Sequence, residues 1–252
     1  MIPNPILKVL STLSCHGVRH LLMGGQACVF YGAAEFSRDC DIVVEPDSEN
    51  LKCLDSALAE LQAQCIALPP HDWSYLARGH AIHFRCQHPE AVEMRLDVMA
   101  RMRGCDEFAK LWERCTTVVD ADNTTLELLG IEDLIKAKKT QRDKDWPMIQ
   151  RLVDAHYEEF RDEPTDERVR FWLRESRNPL VLISLVAQHP AIAKELFQVR
   201  RLLAEALAAS SRAITTGLRD EQAAERAKDE SYWNPLKREL QQLRANQRRP
   251  SE

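Results

Sequence analysis

Three aspartates and a glycine pair are the residues of this chain whose types and spacing could do chemistry. In "LLMGGQACVFYGAAEFSRDCDIVVE", Gly24 and Gly25 end one apolar stretch, and Asp39 and Asp41 open another. Unpaired carboxylates at the mouth of a buried strand are costly, so their presence needs a reason. Side chains at i and i+2 of a strand share a face, about 6.5 Å apart along the chain. Asp39 and Asp41 therefore project together, while Cys40, Ile42 and Val44 take the opposite, core face. In "EMRLDVMA", Met94, Leu96 and Val98 share one face, and Glu93, Arg95 and Asp97 the other. If the two strands are neighbours, Asp97 joins Asp39 and Asp41. Three converging carboxylates repel one another and make a poor structural device. They suit a hard divalent cation, and Mg²⁺ is the usual choice when phosphates complete its shell.

The glycines supply the complementary half. Gly24 and Gly25 sit where a strand ends and a helix begins, so backbone N–H groups are exposed and no side chain blocks approach. The helix dipole adds a preference for an anion. A phosphate-binding turn facing a carboxylate cluster describes a site for a nucleoside triphosphate.

The elements that must position these groups follow from periodicity. Residues 3–16 read as a helix with Ile6, Leu7, Val9, Leu10 and Leu13 on one face. "VRHLLM" reads as a strand, "GGQACVFYG" as a short helix and "DCDIVVE" as a second strand. "SENLKCLDSALAELQAQ" is an amphipathic helix with Ser48 as its expected N-cap. "LPPHDWSYLARG" reads as a loop. "HAIHFRC" and "EMRLDVMA" are strands joined by the turn-prone "QHPEAV"; the helix "DEFAKLWERC" and the short strand "TTVVD" follow. From Gly130 the pattern is helical. The expected class is α+β: a mixed sheet core over 1–125, a helical region over 126–210 and a polar, helical or disordered tail over 211–252.

Bulk properties narrow the function classes. The chain has 252 residues, 44% of them hydrophobic, and a net charge of -5, which argues against attachment to nucleic acid by overall charge alone. No run of about 18 apolar residues is present, so no membrane association is expected. The first residues lack a signal peptide's apolar core, and a cytoplasmic location is expected. The eight cysteines form no CxxC pair and all fall within the first 115 residues, so reduced thiols are expected rather than disulfides or a zinc site. His80 and His83 in "HAIHF" fall on opposite strand faces, which argues against a metal pair. "KRELQQLRANQRRP" reads as a solvated tail rather than an RNA-binding stripe, and Trp112, Trp146 and Trp172 as core residues.

The ordered pattern GGQAxxxxGxxxxSxDxD, with a third Asp on a later strand, resembles the minimal nucleotidyltransferases of the DNA polymerase beta superfamily. It is most similar to their AbiEii-like abortive-infection toxin branch, whose helical segment is also resembled by "IEDLIKAKKTQRDKD". Together the two stretches cover much of residues 18–150. The resemblance implies a nucleotidyltransferase-like core with flanking helices and a helical region that closes the active-site cleft. It implies that Gly24 and Gly25 hold the triphosphate and that Ser37 donates to phosphate. Asp39, Asp41 and Asp97 would bind two Mg²⁺ ions, or Mn²⁺, with Asp97 also serving as the base. Lys138 and Arg142 would meet phosphate charge, and Asp145 matches the end of the segment. One departure stands out. A basic residue is common two places before the Ser, and here that place holds Glu35. Arg38, beside Asp39, would point to the other face. Phosphate or acceptor binding is then weaker or differently arranged.

The expected activity is transfer of a nucleoside monophosphate from an NTP to a hydroxyl. By resemblance the acceptor is RNA, tRNA included, with an antitoxin protein as partner. Two rival readings are a small-molecule, antibiotic-type nucleotidyltransferase and a non-catalytic protein of the same fold that binds a nucleotide or a partner.

Overall fold

The computed structural model describes residues 4–119 and 125–247. It divides into two compact units. The first takes in residues 4–30, 34–119, 125–137 and 231–247, and the second residues 31–33 and 138–230.

The first unit is built on strands β1 (His20–Met23), β2 (Asp39–Val44), β3 (Gln64–Cys65), β4 (Ile82–Arg85), β5 (Arg95–Met99), β6 (Thr116–Val119) and β7 (Thr125–Leu128). They form one mixed sheet in the order β3-β4-β5-β2-β1-β7-β6. β2 runs parallel to β5, and β1 runs antiparallel to β2 and parallel to β7. The fold is therefore α+β, with a mixed sheet, flanking helices and a long C-terminal helix, Ser211–Gln247.

Alternation sets the face of each strand. Cys40, Ile42 and Val44 on β2, Leu96 and Val98 on β5, and Ile82 and Phe84 on β4 are buried. Ile6, Val9, Leu10 and Leu13 of helix Asn4–Cys15 are buried as well, and that helix packs on β2. A one-residue slip of β2 would exchange its apolar set for two carboxylates. Each buried aliphatic side chain contributes about 1.5–3 kcal/mol, so the register is firmly held.

Several local expectations are corrected. The helix Ser48–Glu60 is capped by Asp47, not Ser48: the Asp47 carboxylate accepts from the amides of Glu49 and Asn50. An aspartate in extended backbone just ahead of the first turn reaches those amides. Glu93 has a positive φ and lies before β5, so it does not share the strand face with Arg95 and Asp97. The stretch read as a loop contains a short helix, Ser74–Ala77. Two further strands are present: β3, with two residues too short to show a period of two, and β7, whose Leu126 and Leu128 alternate into the core.

The sheet extends past residue 125 because β7 lies between β1 and β6, and the units divide at 137/138. The described part of the tail is helical. Its segment from Ser231 belongs with the sheet, where Glu239 accepts from His80 at 2.7 Å and pairs with Arg78 at 2.9 Å. Tyr232 lies close to Gly79 there.

The second unit contains helices Asp145–Phe160, Asp166–Glu175, Pro179–Gln188, Pro190–Leu196 and Leu202–Leu207. Its core includes Trp146, Val169, Trp172, Leu185 and Leu203. All eight cysteines are free thiols. Among the described residues no helix is long and apolar enough to cross a membrane.

Candidate active site

The site starts from strand pairing. In the parallel pair β2/β5, Asp41 stands opposite Asp97 and Asp39 opposite Arg95. Paired residues share a face, and neighbouring strands lie about 4.8 Å apart. The three aspartates expected to converge therefore occupy two consecutive rows of one sheet face. The Asp41–Asp97 row continues to Met23 on β1 and His83 on β4, and the Asp39–Arg95 row to Arg85 on β4.

Met23 pairs with Asp41 at the end of β1, so the chain turns into the next helix directly beside that carboxylate. Gly24 makes the turn with φ +69°, and a Cβ there would lie 1.9 Å from Asp41 Oδ2. Gly24 is thus required twice, by backbone conformation and by the approach of Asp41. A Cβ on Gly25 would lie 2.6 Å from Ser37 Oγ, and Ser37 donates to the Asp39 carbonyl at 3.3 Å. The glycine pair, Ser37 and the Asp-x-Asp strand accordingly form one compact group. Gln26, next in the helix, is buried, and its Oε1 has no hydrogen-bond partner among the described residues.

Asp97 is the most enclosed of the three aspartates, with its side chain 12% exposed. Arg95 Nε donates to Asp97 Oδ1 at 2.8 Å, and His83 Nδ1 lies 2.8 Å from the same oxygen. Arg95 Nη2 also lies 3.2 Å from His83 Nδ1. One ring nitrogen cannot donate to the carboxylate and accept from the guanidinium at once. The shorter, charge-assisted contact sets the tautomer, with Nδ1–H donating to Asp97. Burial pushes the Asp97 carboxyl up, but the hydrogen bonds and charges of His83 and Arg95 outweigh it and hold the group below its ordinary value. The bond to Asp97 raises the Arg95 guanidinium in turn.

The donor set suits a hard divalent cation in chemistry, with carboxylate oxygens supplied from adjacent parallel strands. In this conformation Asp97 Oδ1 is turned to Arg95 and His83. Among the described residues no group of three or more His, Cys, Asp or Glu side chains is arranged to hold a metal ion.

Lys138 and Arg142 belong to the second unit. Both address Asp145: Lys138 Nζ lies 3.8 Å from Oδ1, and Arg142 Nε donates to Oδ2 at 2.8 Å. Thr140 donates to the same Oδ2 at 2.5 Å. Lys138 and Asp145 are both buried. The second unit also holds a cavity of about 920 Å³ lined by residues between Val199 and Glu221. Arg200, Arg201 and Arg212 are balanced there by Glu205, Asp220 and Glu221, and none of the candidate residues lines it.

His83 was missed as a site residue. Its signal was present in the alternation of β4, where Ile82 and Phe84 are buried in the core and His83 takes the other face. His80 lies outside that strand and bonds Glu239.

No protein-family model matches the chain, and no curated protein matches it. Among solved structures the chain is similar to a protein from H. pylori provisionally described as a nucleotidyltransferase. The two are 15% identical with a TM-score of 0.40, over 90% of this chain and 94% of that one.

Proposed function

We propose that this chain is a metal-dependent nucleotidyltransferase. One observation carries the reading. Asp41 and Asp97 are paired in register with Asp39 one row away, on a face that adjoins a turn where Gly24 leaves no room for a Cβ beside Asp41. Carboxylates placed side by side lower stability unless a cation occupies them. Glycines packed against those same groups leave backbone amides open to phosphate.

Asp39, Asp41 and Asp97 would hold two Mg²⁺ ions, with Mn²⁺ as the alternative. A cation bound there lowers the pKa of an attacking hydroxyl and stabilises charge on transferring phosphate. Gly24, Gly25 and Ser37 receive the triphosphate. The acceptor oxygen attacks the α-phosphorus of the NTP. The bond to the β-phosphate oxygen breaks, pyrophosphate leaves, and Asp97 takes the hydroxyl proton. The resemblance to the toxin branch carries the finer reading of an RNA acceptor, tRNA included, and an antitoxin partner. A small hydroxylated antibiotic is the alternative acceptor.

A second reading has its own support. Asp97 is already satisfied by Arg95 and His83, and Glu35 stands where a basic residue is common. A protein with that arrangement would bind a nucleotide or a partner and transfer nothing.

Pyrophosphate release separates the readings. It is measured with each NTP, with Mg²⁺ or a chelator, and with RNA or antibiotic acceptors. The enzyme reading expects cation-dependent release from the wild-type chain, lost in Asp39→Asn. Absence of release with every acceptor favours the binding protein.

A further inference from the structure

Arg95 stands on the carboxylate face in register with Asp39, yet it reaches along its own strand to Asp97. Its side chain is 41% exposed while the Asp97 side chain is 12% exposed, so Arg95 covers a carboxylate more enclosed than itself. The other arginine of this row, Arg85, pairs with Glu93 at 3.4 Å. Arg95 is thus a cation held on Asp97, and the charges of Asp97, Asp39 and Asp41 all act on it.

We infer that Arg95 is a resident counter-ion that exchanges with the nucleotide-bound cation. In the cation-free protein it offsets one of three crowded negative charges and keeps Asp97 aimed, with His83 as the second anchor. A divalent cation entering beside Asp97 repels the guanidinium and competes for Oδ1. Arg95 then turns to the nearest new anion, a phosphate oxygen of the nucleotide, which its planar fork fits well. His83 keeps its bond to Asp97 and holds the carboxylate in place during the exchange. The inference rests on the nucleotidyltransferase reading and assigns Arg95 a role beyond it: it weakens binding of the bare cation and strengthens binding of the cation with its nucleotide. The site then favours a cation that arrives with a triphosphate.

The test measures Mn²⁺ binding by electron paramagnetic resonance and titration calorimetry. Mn²⁺ is used alone, and then with a non-hydrolysable NTP analogue at saturating Mn²⁺. Variants are Arg95→Ala, Arg95→Lys and Asp41→Asn, each checked for folding by circular dichroism. Arg95→Ala should bind Mn²⁺ alone about tenfold more tightly, the scale of a close charge partly screened by solvent. It should bind the analogue about tenfold more weakly. Arg95→Lys keeps the charge without the fork, so its Mn²⁺ affinity should stay near wild type while the analogue binds more weakly. If Arg95→Ala leaves both affinities unchanged, or weakens Mn²⁺ alone, Arg95 is a structural partner of Asp97 and the exchange is wrong. If Arg95→Ala does not fold, an Arg95→Lys variant that binds the analogue as tightly as wild type overturns it. Loss of Mn²⁺ binding in Asp41→Asn with no effect at Arg95 defeats this inference alone. No Mn²⁺ binding by the wild-type chain defeats the nucleotidyltransferase reading and the inference with it.

Discussion

Asp97 on the sheet and Asp145 on the helical side are both buried aspartates gripped by cations, but their company differs. Asp145 is shared by Lys138, Arg142 and Thr140, so positive charge more than balances it. Asp97 has Arg95 and His83, but it also has Asp41 opposite in the neighbouring strand and Asp39 one row away. The first arrangement explains itself as structure: a buried carboxylate with its charge and lone pairs met. The second gathers three carboxylates on one face beside a turn that excludes side chains. Like charges gathered that closely suit a bound cation better than they suit stability.

The comparison breaks most sharply at the turn. Gly24→Ala combines a positive φ with a Cβ on top of Asp41. It should displace the Asp41 carboxylate and abolish nucleotide-induced thermal stabilisation, read by differential scanning fluorimetry with NTP and Mg²⁺. A full ligand-induced shift in that variant would place the nucleotide elsewhere.

On the helical side the large effect is on stability. Asp145→Ala removes the carboxylate shared by a buried lysine and a threonine, and should cost about 3–5 kcal/mol in urea unfolding. A loss below about 1 kcal/mol would mean the cluster is solvated and does not hold the fold.

A smaller effect distinguishes the units by pH. His156 accepts a hydrogen bond from Trp172 Nε1 at 2.9 Å and lies against Phe171. Burial, with the Arg168 charge as a lesser cause, pushes it down to about 4. Unfolded, it titrates near 6.5. Between those values the unfolded chain binds the proton that the folded chain refuses. The His156 contribution is therefore complete above about pH 6.5 and is lost as pH falls toward 4. Melting temperatures from pH 7.5 to 4.5 should fall less steeply in His156→Asn, which keeps an acceptor and cannot titrate. Parallel curves would show that His156 takes up its proton equally in the folded and unfolded chain, against the effect of its burial.

The smallest effect concerns the lysines of "KAKK". Lys136 pairs with Asp133 and Lys139 with Glu175, both partly exposed, whereas Lys138 is buried. Lys138→Ala removes a buried cation that faces Asp145, so it should lower stability in urea unfolding more than either neighbour while leaving the KM for NTP near wild type. Lys136→Ala and Lys139→Ala should leave the kinetics near wild type and cost no more than about 1 kcal/mol of stability. Equal small losses in all three would reduce the helix to a general basic patch.

What could be read from the sequence was local. The two-residue period of β2 and β5 assigns each side chain to a face, so Asp39, Asp41 and Asp97 could be placed together before their strands were known to pair. The glycine turn was legible for the same reason. What escaped depends on distant neighbours. Whether Arg95 reaches sideways to Asp39 or along the strand to Asp97 is decided partly by His83, which another strand delivers. The segment from Ser231 belongs with the sheet through Glu239 and His80, 159 residues apart, and no periodicity encodes that. Asp47 took the cap from Ser48 because either residue type can cap a helix and only the backbone direction chooses.

The most direct test of the central claim is to replace each carboxylate by its neutral amide and follow stability without metal. Asp41→Asn relieves repulsion on the sheet face, so its melting temperature should hold or rise while the shift induced by Mg²⁺ and NTP disappears. Asp145→Asn loses its ion pairs, so its melting temperature should fall. A clear fall in Asp41→Asn with the ligand-induced shift retained would show that the aspartate row is structural, and would contradict the account.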